Sequence, residues 1–446
     1  MADTIVGKEV RFLTLNTWGL KLVSKKRVER LRAIAEKLGG DPSADHLISI
    51  DSQSSVGSRE RQVDDYDIVA LQEIWCKDDW DYIVKKCQHK YPYYRIFHSG
   101  IIAGPGLAIL SKIPIDSTFL YRFPINGRPS AFFRGDWYVG KSVSVTLLRP
   151  VDSNSFPLAI LNSHMHAPYA RRGDAAYYCH RSCQAWDFSK LANLYKQAGY
   201  AVVVVGDLNS RPGSLPHKFL TKETGLVDSW EQLHGSQDLK QIAKMTPLNQ
   251  IKYGGTTCDS TLNTWRSMRQ PDEACRLDYA LIDPNRLQTI DAQVRFTERI
   301  ATIGSFSDHF AYFCTLRMIP KSASDHTSSD SKELLIGRLA NYEEMLKVIS
   351  RYKRVAKAQK FWRGCHFWVS IFFIIAAHVV TTFTSERACW SSVFWVFFTM
   401  FVTATGLIDG LISFLFGKKE IRALNEVYQE IVDMRRSTLE RLDIKS

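Results

Sequence analysis

Apolar residues over positions 1–320 come in short runs, and the spacing within each run predicts one kind of element. The stretches 10–15 (VRFLTL), 67–71 (DIVAL), 106–111 (GLAILS) and 117–123 (STFLYRF) read as strands. So do 142–148 (SVSVTLL), 158–162 (LAILN), 277–282 and 310–316. Ala201–Val205 (AVVVV) has no polar alternation and predicts a strand buried on both faces. Helical spacing occurs at 25–38, where Val28, Leu31, Ile34, Ala35 and Leu38 share a face closed by Gly39-Gly40, and again at 78–90 and 174–198. Residues 41–65 are polar and without period, which predicts a surface insertion. Strands outnumber helices throughout 1–320, so the expected class is α+β.

After Pro320 the pattern changes. Residues 321–332 (KSASDHTSSDSK) read as a polar linker, and 333–365 as a helix whose last part, Lys347 to Arg363, holds seven basic residues and no acidic one. Two apolar runs follow, Phe367–Thr384 and Val393–Phe416. A bilayer-crossing helix needs about 20 mainly apolar residues. The pair therefore predicts a transmembrane hairpin, with spans 366–384 and 393–416, a loop at 385–392 and a closing helix over 417–446. Lys353, Arg354, Lys357, Lys360 and Arg363 precede the first run, Lys418, Lys419 and Arg422 follow the second, and the loop carries Arg387 beside Glu386. The positive-inside rule then places the loop in a lumen and the 1–320 domain in the cytosol. Asp409 is an acid inside the second run, expected to serve a function or to hydrogen-bond within a dimer. The flanking helices could pair within the chain or form a homodimer.

Composition sharpens only part of this picture. With 45% hydrophobic and 23% charged residues the chain is not a disordered one. The 58 Lys and Arg exceed the 46 Asp and Glu by twelve, which suits nucleic acid and an acidic membrane equally well. No signal peptide is read at MADTIVGKEVRF, and nine irregularly spaced cysteines point to a reducing compartment. Cys179 and Cys183 would make half a zinc site, but no second half has matching spacing, so they are expected on a helix face or in the core.

Five polar clusters each follow or close an apolar strand run: Asn16 (LTLNTWGL), Glu73 (VALQEIW), His164 (ILNSHMHA), Asp207 with Asn209 (VVGDLNS), and Asp308-His309 (FSDHF). A polar residue after a strand is most often a turn former. Together, however, they supply oxygen ligands for a hard divalent cation, imidazoles for proton transfer and amides for phosphate contacts. That set suits attack of water on a phosphodiester.

The ordered series Asn, Gln-Glu, Asn-x-His, Gly-Asp-x-Asn, Arg-Leu-Asp-Tyr and Ser-Asp-His resembles the DNase I-like exonuclease–endonuclease–phosphatase superfamily over roughly 10–316. Within it the chain is most similar to the neutral sphingomyelinase branch and its fungal inositol phosphosphingolipid phospholipases C, down to the run FPINGRPSAFFRGDWYVGKS, the apolar hairpin and its basic stem. The resemblance implies a four-layer α/β sandwich of two face-to-face sheets with helices outside. It implies Mg²⁺ at Glu73 with Asn16 beside it, and His309 as general base oriented by Asp278. It also implies that Asp207 and Asn209 position water or phosphoryl oxygens and that His164 stabilises the transition state. Asp308 is a metal ligand or a partner of one, and His166 is structural or supporting.

Gly135–Ser142 (GDWYVGKS) fits the nucleotide P-loop pattern, but the β-branched run after it predicts a strand where a P-loop needs a helix. The resemblance instead makes Asp136 and Lys141 matter for activity; they are expected to pair and release on a mobile loop, or to form a surface salt bridge. It further implies a sphingolipid substrate, activation by anionic phospholipids such as phosphatidylserine and cardiolipin, and residence in the endoplasmic reticulum or outer mitochondrial membrane. A nuclease or an inositol-phosphate phosphatase on the same fold is the alternative. The hairpin argues against nucleic acid, because a membrane tether obstructs access to duplex DNA.

Overall fold

The computed structural model describes residues 8–40, 47–50, 65–102, 104–150, 152–320 and 331–444. Most of the insertion expected at 41–65 and of the linker at 321–332 lies outside these residues. The chain forms two compact units, one from Met1–Asn126 with Gly135–Arg338, the other from Gly127–Arg134 with Leu339–Ser446.

The strands of the first unit are β1 Glu9–Asn16, β2 Leu47–Ile48, β3 Ile68–Gln72, β4 Tyr93–Ile96 and β5 Ala108–Ser111. Next come β6 Ile115–Arg122, β7 Ser142–Leu148, β8 Leu158–His164, β9 Ala201–Asp207 and β10 Val227–Asp228. The last are β11 Asp278–Ile282, β12 Leu287–Arg295, β13 Arg299–Ile300, β14 Gly304–Ser305 and β15 Ala311–Met318. They make two six-stranded sheets, ordered β12-β15-β1-β3-β5-β4 and β10-β11-β9-β8-β7-β6, and a small sheet β14-β13-β2.

Alternation along β1 and β3 explains the layering. Phe12, Ile68 and Ala70 turn inward onto Leu158, Ile160, Val203, Val205 and Ala280 of the other sheet. Leu13, Leu15, Val69 and Leu71 turn outward onto Leu31, Ile34 and Leu38 of helix Arg27–Gly39 and Ile83 of helix Lys77–Cys87. Helix Tyr178–Gln197 supplies a layer outside the second sheet, and its Cys179 and Cys183 are buried, as expected of helix-face cysteines. Each buried Val, Ile or Leu contributes about 1.5–3 kcal/mol, so strands apolar on both faces fix the stacking. Polar bridges cross the core near one end: the Gln72 amide nitrogen donates to Asn162 Oδ1 at 2.8 Å, and the Asn162 amide nitrogen donates to the Leu71 and Ala108 carbonyls at 3.3 Å.

In the second unit, helix Lys332–Ser385 runs 54 residues without interruption, so basic stem and first apolar run share one helix. Helix Ser391–Leu411 continues through a π-turn at Ile412–Phe416 into helix Gly417–Ile444. The apolar helices meet at small residues. A Cβ on Gly406 or Gly410 would lie 2.6 Å from Ser370 or Phe367, the close approach that glycine permits. Asp409 pairs with Arg363 and, at 3.0 Å, with His366 Nδ1, so its partners lie in its own chain. Tyr352 donates to Glu420 at 2.6 Å and accepts from Arg128 at 2.9 Å, which holds 127–134 against this unit. Phe372, Phe383, Phe397 and Phe401 point outward, and both helices are long and apolar enough to cross a membrane.

Gly206 shows how tightly β9 is fixed. Its φ is +123°, and a Cβ there would sit 2.0 Å from the Ser163 carbonyl oxygen. Gly206→Ala should therefore cost at least about 3 kcal/mol. Gly213→Ala, with φ +73° and open space around it, should cost about 1 kcal/mol. Denaturant titration of the detergent-solubilised chain, followed by tryptophan fluorescence, measures both.

Candidate active site

Strand register assembles the site. β8 and β9 run parallel with His164 opposite Asp207, and β9 and β11 run antiparallel with Asp207 opposite Asp278. These three residues therefore form one row across the end of the second sheet. In the first sheet β1 and β3 are parallel with Asn16 opposite Gln72, so Glu73 emerges just beyond the row, and β15 begins two residues after His309. The two rows meet where the Asn16 amide nitrogen donates to Glu73 Oε1 at 3.1 Å and to Asp207 Oδ2 at 3.0 Å.

His309 is held from both sides. Its Nδ1 lies 2.8 Å from Asp278 Oδ2, and its Nε2 lies 3.9 Å from Asp207 Oδ2 and 3.4 Å from Cys258 Sγ. Burial disfavours the imidazolium, but the Cys258 sulfur and the Asp278 and Asp207 carboxylates outweigh it and raise His309 well above the ordinary histidine value. His164 behaves oppositely: burial, reinforced by the Lys141 charge, lowers it well below that value and leaves it neutral. Its Nε2 is 3.5 Å from Asp207 and 4.0 Å from Glu73. Asn209 supports this wall, with its backbone N–H on Asp207 Oδ1 at 2.9 Å and its amide nitrogen on the Met165 carbonyl at 3.0 Å.

Carboxylates crowd both walls. Glu73 is raised, first by burial and then by the charge of Asp308, against the pull of Lys141 and Asn16. Asp207 is raised by burial and then by Asp278, against His309 and Asn16. Buried acids that resist ionisation alone are what a hard divalent cation offsets. Asp278 Oδ1 and His164 Nδ1 are buried with no hydrogen-bond partner among the described residues. The donors present thus fit a cation held by Glu73, with Asp308 close by. Asp207, Asp278 and His309 form a second possible set, with ligand atoms within 4.8 Å of one another. Asn16 directs its nitrogen at both carboxylates while its Oδ1 accepts from the Trp18 N–H at 3.0 Å. As placed it orients Glu73, and it would ligate a cation only with the amide turned over.

The Asp136–Lys141 pair joins this site as a buried element. Asp136 opens a single helical turn, Asp136–Val139, and Lys141 immediately precedes β7, so a strand stands where a nucleotide P-loop needs a helix. Lys141 Nζ lies 3.2 Å from Asp136 Oδ1, with the two side chains 2% and 8% exposed. The pair is therefore not the surface salt bridge that was one expectation. Burial pushes Asp136 up, but His166, Lys141, His164 and the Tyr169 hydroxyl, 2.9 Å away, hold it at about 2. β8 stops at His164, so alternation no longer governs His166. It turns onto Asp136 at 3.3 Å and stacks on Tyr177, and burial lowers it to about 3.

Sequence reasoning missed several supports. Arg266 grips Asp308, Ser307 donates to the Asn16 carbonyl at 2.6 Å, and Arg30 donates to the carbonyls of Thr17, Trp18 and Phe306. The Arg30 guanidinium also lies over the rings of Trp18 and Trp265. Backbone strain collects here too. Among the described non-glycine residues with left-handed φ are Glu73 and Asn209 themselves, Trp18 two residues after Asn16, and Tyr177, on which His166 stacks. Such conformations persist where a surrounding structure imposes them, commonly at functional sites.

Known proteins share this architecture. The Endonuclease/Exonuclease/phosphatase family matches residues 13–326, which contain every site residue from Asn16 to His309. The chain is 62% identical to the inositol phosphosphingolipids phospholipase C of Saccharomyces cerevisiae, over 97% of this chain and 91% of that one. It is 34% identical to the Schizosaccharomyces pombe protein of the same name, over 96% and 94%. With human sphingomyelin phosphodiesterase 2 it shares 30% identity over 54% of this chain and 50% of that protein. The strand-end series, the two facing sheets and these matches together make the chain a member of the Endonuclease/Exonuclease/phosphatase family.

Proposed function

We propose that this chain is a membrane-bound, Mg²⁺-dependent phospholipase C that hydrolyses inositol phosphosphingolipids, and sphingomyelin with them, to ceramide and the phosphorylated head group. The observation that carries the reading is the Asp278–His309 pair facing Glu73, Asp207 and His164 at one rim, in a chain alike along 97% of its length to a phospholipase of that name. In its neutral form, which a cation bound beside Asp207 would favour, His309 Nε2 takes the proton from the attacking water, while Asp278 at Nδ1 fixes the ring and stabilises the imidazolium that results. The water oxygen bonds to phosphorus and the bond from phosphorus to the ceramide oxygen breaks. Neutral His164 hydrogen-bonds the phosphoryl group as charge builds on it, and Asp207, set by Asn209 and Asn16, positions the water. Glu73, with Asp308 close by, would hold Mg²⁺, which when bound neutralises phosphoryl and leaving-oxygen charge. Lys141, paired with Asp136, adds positive charge on the same side of the site.

The reading extends to the membrane. The two apolar helices would cross it as a hairpin with both flanks in the cytosol, and the basic stem would bind anionic lipid at about 1 kcal/mol per residue. Lys353 lies over the Tyr428 ring, so Arg354 and Lys357, both exposed, are the better probes of the stem.

Turnover should be assayed with the detergent-extracted chain on inositol phosphoceramide, sphingomyelin, phosphatidylcholine and abasic DNA side by side. Sphingolipid cleavage should dominate, vanish with EDTA and return with Mg²⁺; cleavage of abasic DNA alone would replace this reading with a nuclease. Glu73→Gln and His309→Ala should each lower turnover by roughly a hundredfold or more without unfolding the protein. Full activity in either variant would remove the site assignment. Arg354→Glu with Lys357→Glu should reduce activation by phosphatidylserine by roughly tenfold, measured in mixed micelles, while leaving the unactivated rate in place. Unchanged activation would show that the stem is not the lipid sensor.

A further inference from the structure

Exposed apolar side chains are common on soluble domains when scattered singly. The most exposed of them on the first unit cluster, although Leu194 and Phe119 are half-exposed elsewhere. Among its described residues, Leu22, Val23, Ile101, Ile102 and Met268 are the large apolar side chains more than 60% exposed, at 98%, 62%, 70%, 72% and 93%. They sit on three segments far apart in sequence; register places the first two at the site end of the sheets, and the Arg266–Asp308 pair ties the third to it. Leu22 and Val23 follow the end of β1 that carries Asn16. Ile101 and Ile102 join β4 to β5, whose ends pair Ile96 with Ala108 and Ala108 with Leu71, just before Glu73. Met268 lies in the segment leading to β11, which begins at Asp278.

Each segment is fastened to the site. Gly19 packs against the Glu73 carbonyl, and the Trp18 ring packs on Trp265 at 5.5 Å. The Ile101 N–H donates to the Tyr138 carbonyl at 2.8 Å, inside the turn that begins at Asp136. Met268 stands two residues beyond Arg266, the partner of Asp308. Leu22 has φ +72°, so a left-handed backbone, disfavoured for a leucine, presents it to solvent. Cations lie in the same segments: Lys21 and Lys25 in the first and Arg172 in the segment after β8 are exposed, while Arg269 and Arg171 share Glu273, at 3.4 Å and 3.0 Å, and Lys26 has Glu29 at 4.0 Å.

We propose that these loop tips are a bilayer-docking surface on the catalytic unit itself, inserting Leu22, Ile101, Ile102 and Met268 among the acyl chains of an anionic membrane while the surrounding lysines and arginines meet its headgroups. The apolar side chains and the reactive rim share one edge, so docking brings the site to the depth of a lipid phosphodiester. A soluble ligand would not need such tips, whereas a substrate embedded in a bilayer does. This surface is separate in sequence from the apolar hairpin and the basic stem, and it rests on the reading of the substrate as a membrane lipid.

The test uses the full chain reconstituted into vesicles of phosphatidylcholine and phosphatidylserine that contain inositol phosphoceramide. With p-benzoylphenylalanine in place of Leu22, Ile102 or Met268, illumination should yield lipid adducts, and in place of Leu194, 60% exposed near the far end of helix Tyr178–Gln197, it should not. No adducts at the three tips, or equal adducts at Leu194, overturn the proposal. The triple variant Leu22→Asp, Ile102→Asp, Met268→Asp should lose at least tenfold in rate on vesicles. It should stay within twofold on a six-carbon-acyl sphingomyelin below its micellar concentration, a check that the site is intact. A vesicle rate equal to that of the unmodified chain also overturns the proposal. Tip adducts in a chain that cleaves neither sphingolipid would leave the docking surface standing and remove the assignment of substrate.

Discussion

Strand register is the constraint on which the site depends. His164, Asp207 and Asp278 are adjacent only because β8, β9 and β11 are aligned residue for residue. Side chains alternate along a strand, so slipping any of the three by one position would turn its functional group to the opposite face. The apolar sequence prevents the slip, since Val203 and Val205, with Ile160 and Ala280 beside them, must face Phe12, Ile68 and Ala70 across the shared core. Gly206 tightens the lock by letting the β9 backbone approach β8 where a Cβ would not fit. The chemistry is thus placed by residues that take no part in it.

Charge is the second organising force, and it is distributed unevenly. Lys141 is spent on Asp136 and Arg266 on Asp308, while Glu73 and Asp207 receive mainly the Asn16 amide and the imidazoles. Desolvating a carboxylate is costly unless it is paired. Asp136 is matched by Lys141, Tyr169 and His166, so it is firmly ionised. Glu73 and Asp207 are raised by burial and by neighbouring carboxylates despite the Asn16 amide and His309, so they stay poised to receive positive charge. The contrast separates an acid that holds the site together from acids that await a cation.

The sequence made the strand-end clusters legible because polar residues closing an apolar run must sit at a sheet end, and the parallel pairs β1–β3 and β8–β9 put several ends together. It made the long C-terminal helices legible through their unbroken apolar runs. β12 escaped notice because LQTIDAQVR is largely polar and its register shifts between Thr289 and Asp291. The two-residue strands β2, β10, β13 and β14 are too short to leave a period. Arg30, Cys258, Tyr169 and Arg266 look ordinary in sequence, since their roles come from contacts with distant segments; Arg30 reaches Phe306 across 276 positions. His166 was legible as an imidazole but not in its direction, because β8 ends two residues before it.

Glu73 carries a consequence for how such a chain changes over time. Its backbone is left-handed at φ +62°, its side chain is only 16% exposed, and burial and Asp308 both oppose its charge. A glycine there would relieve the backbone, and a neutral side chain would relieve the repulsion. Function and durability therefore pull this position in opposite directions. A population screened only for resistance to heat would drift away from glutamate at this position early, and the fold that remained would be sturdier and, on the proposed reading, inert.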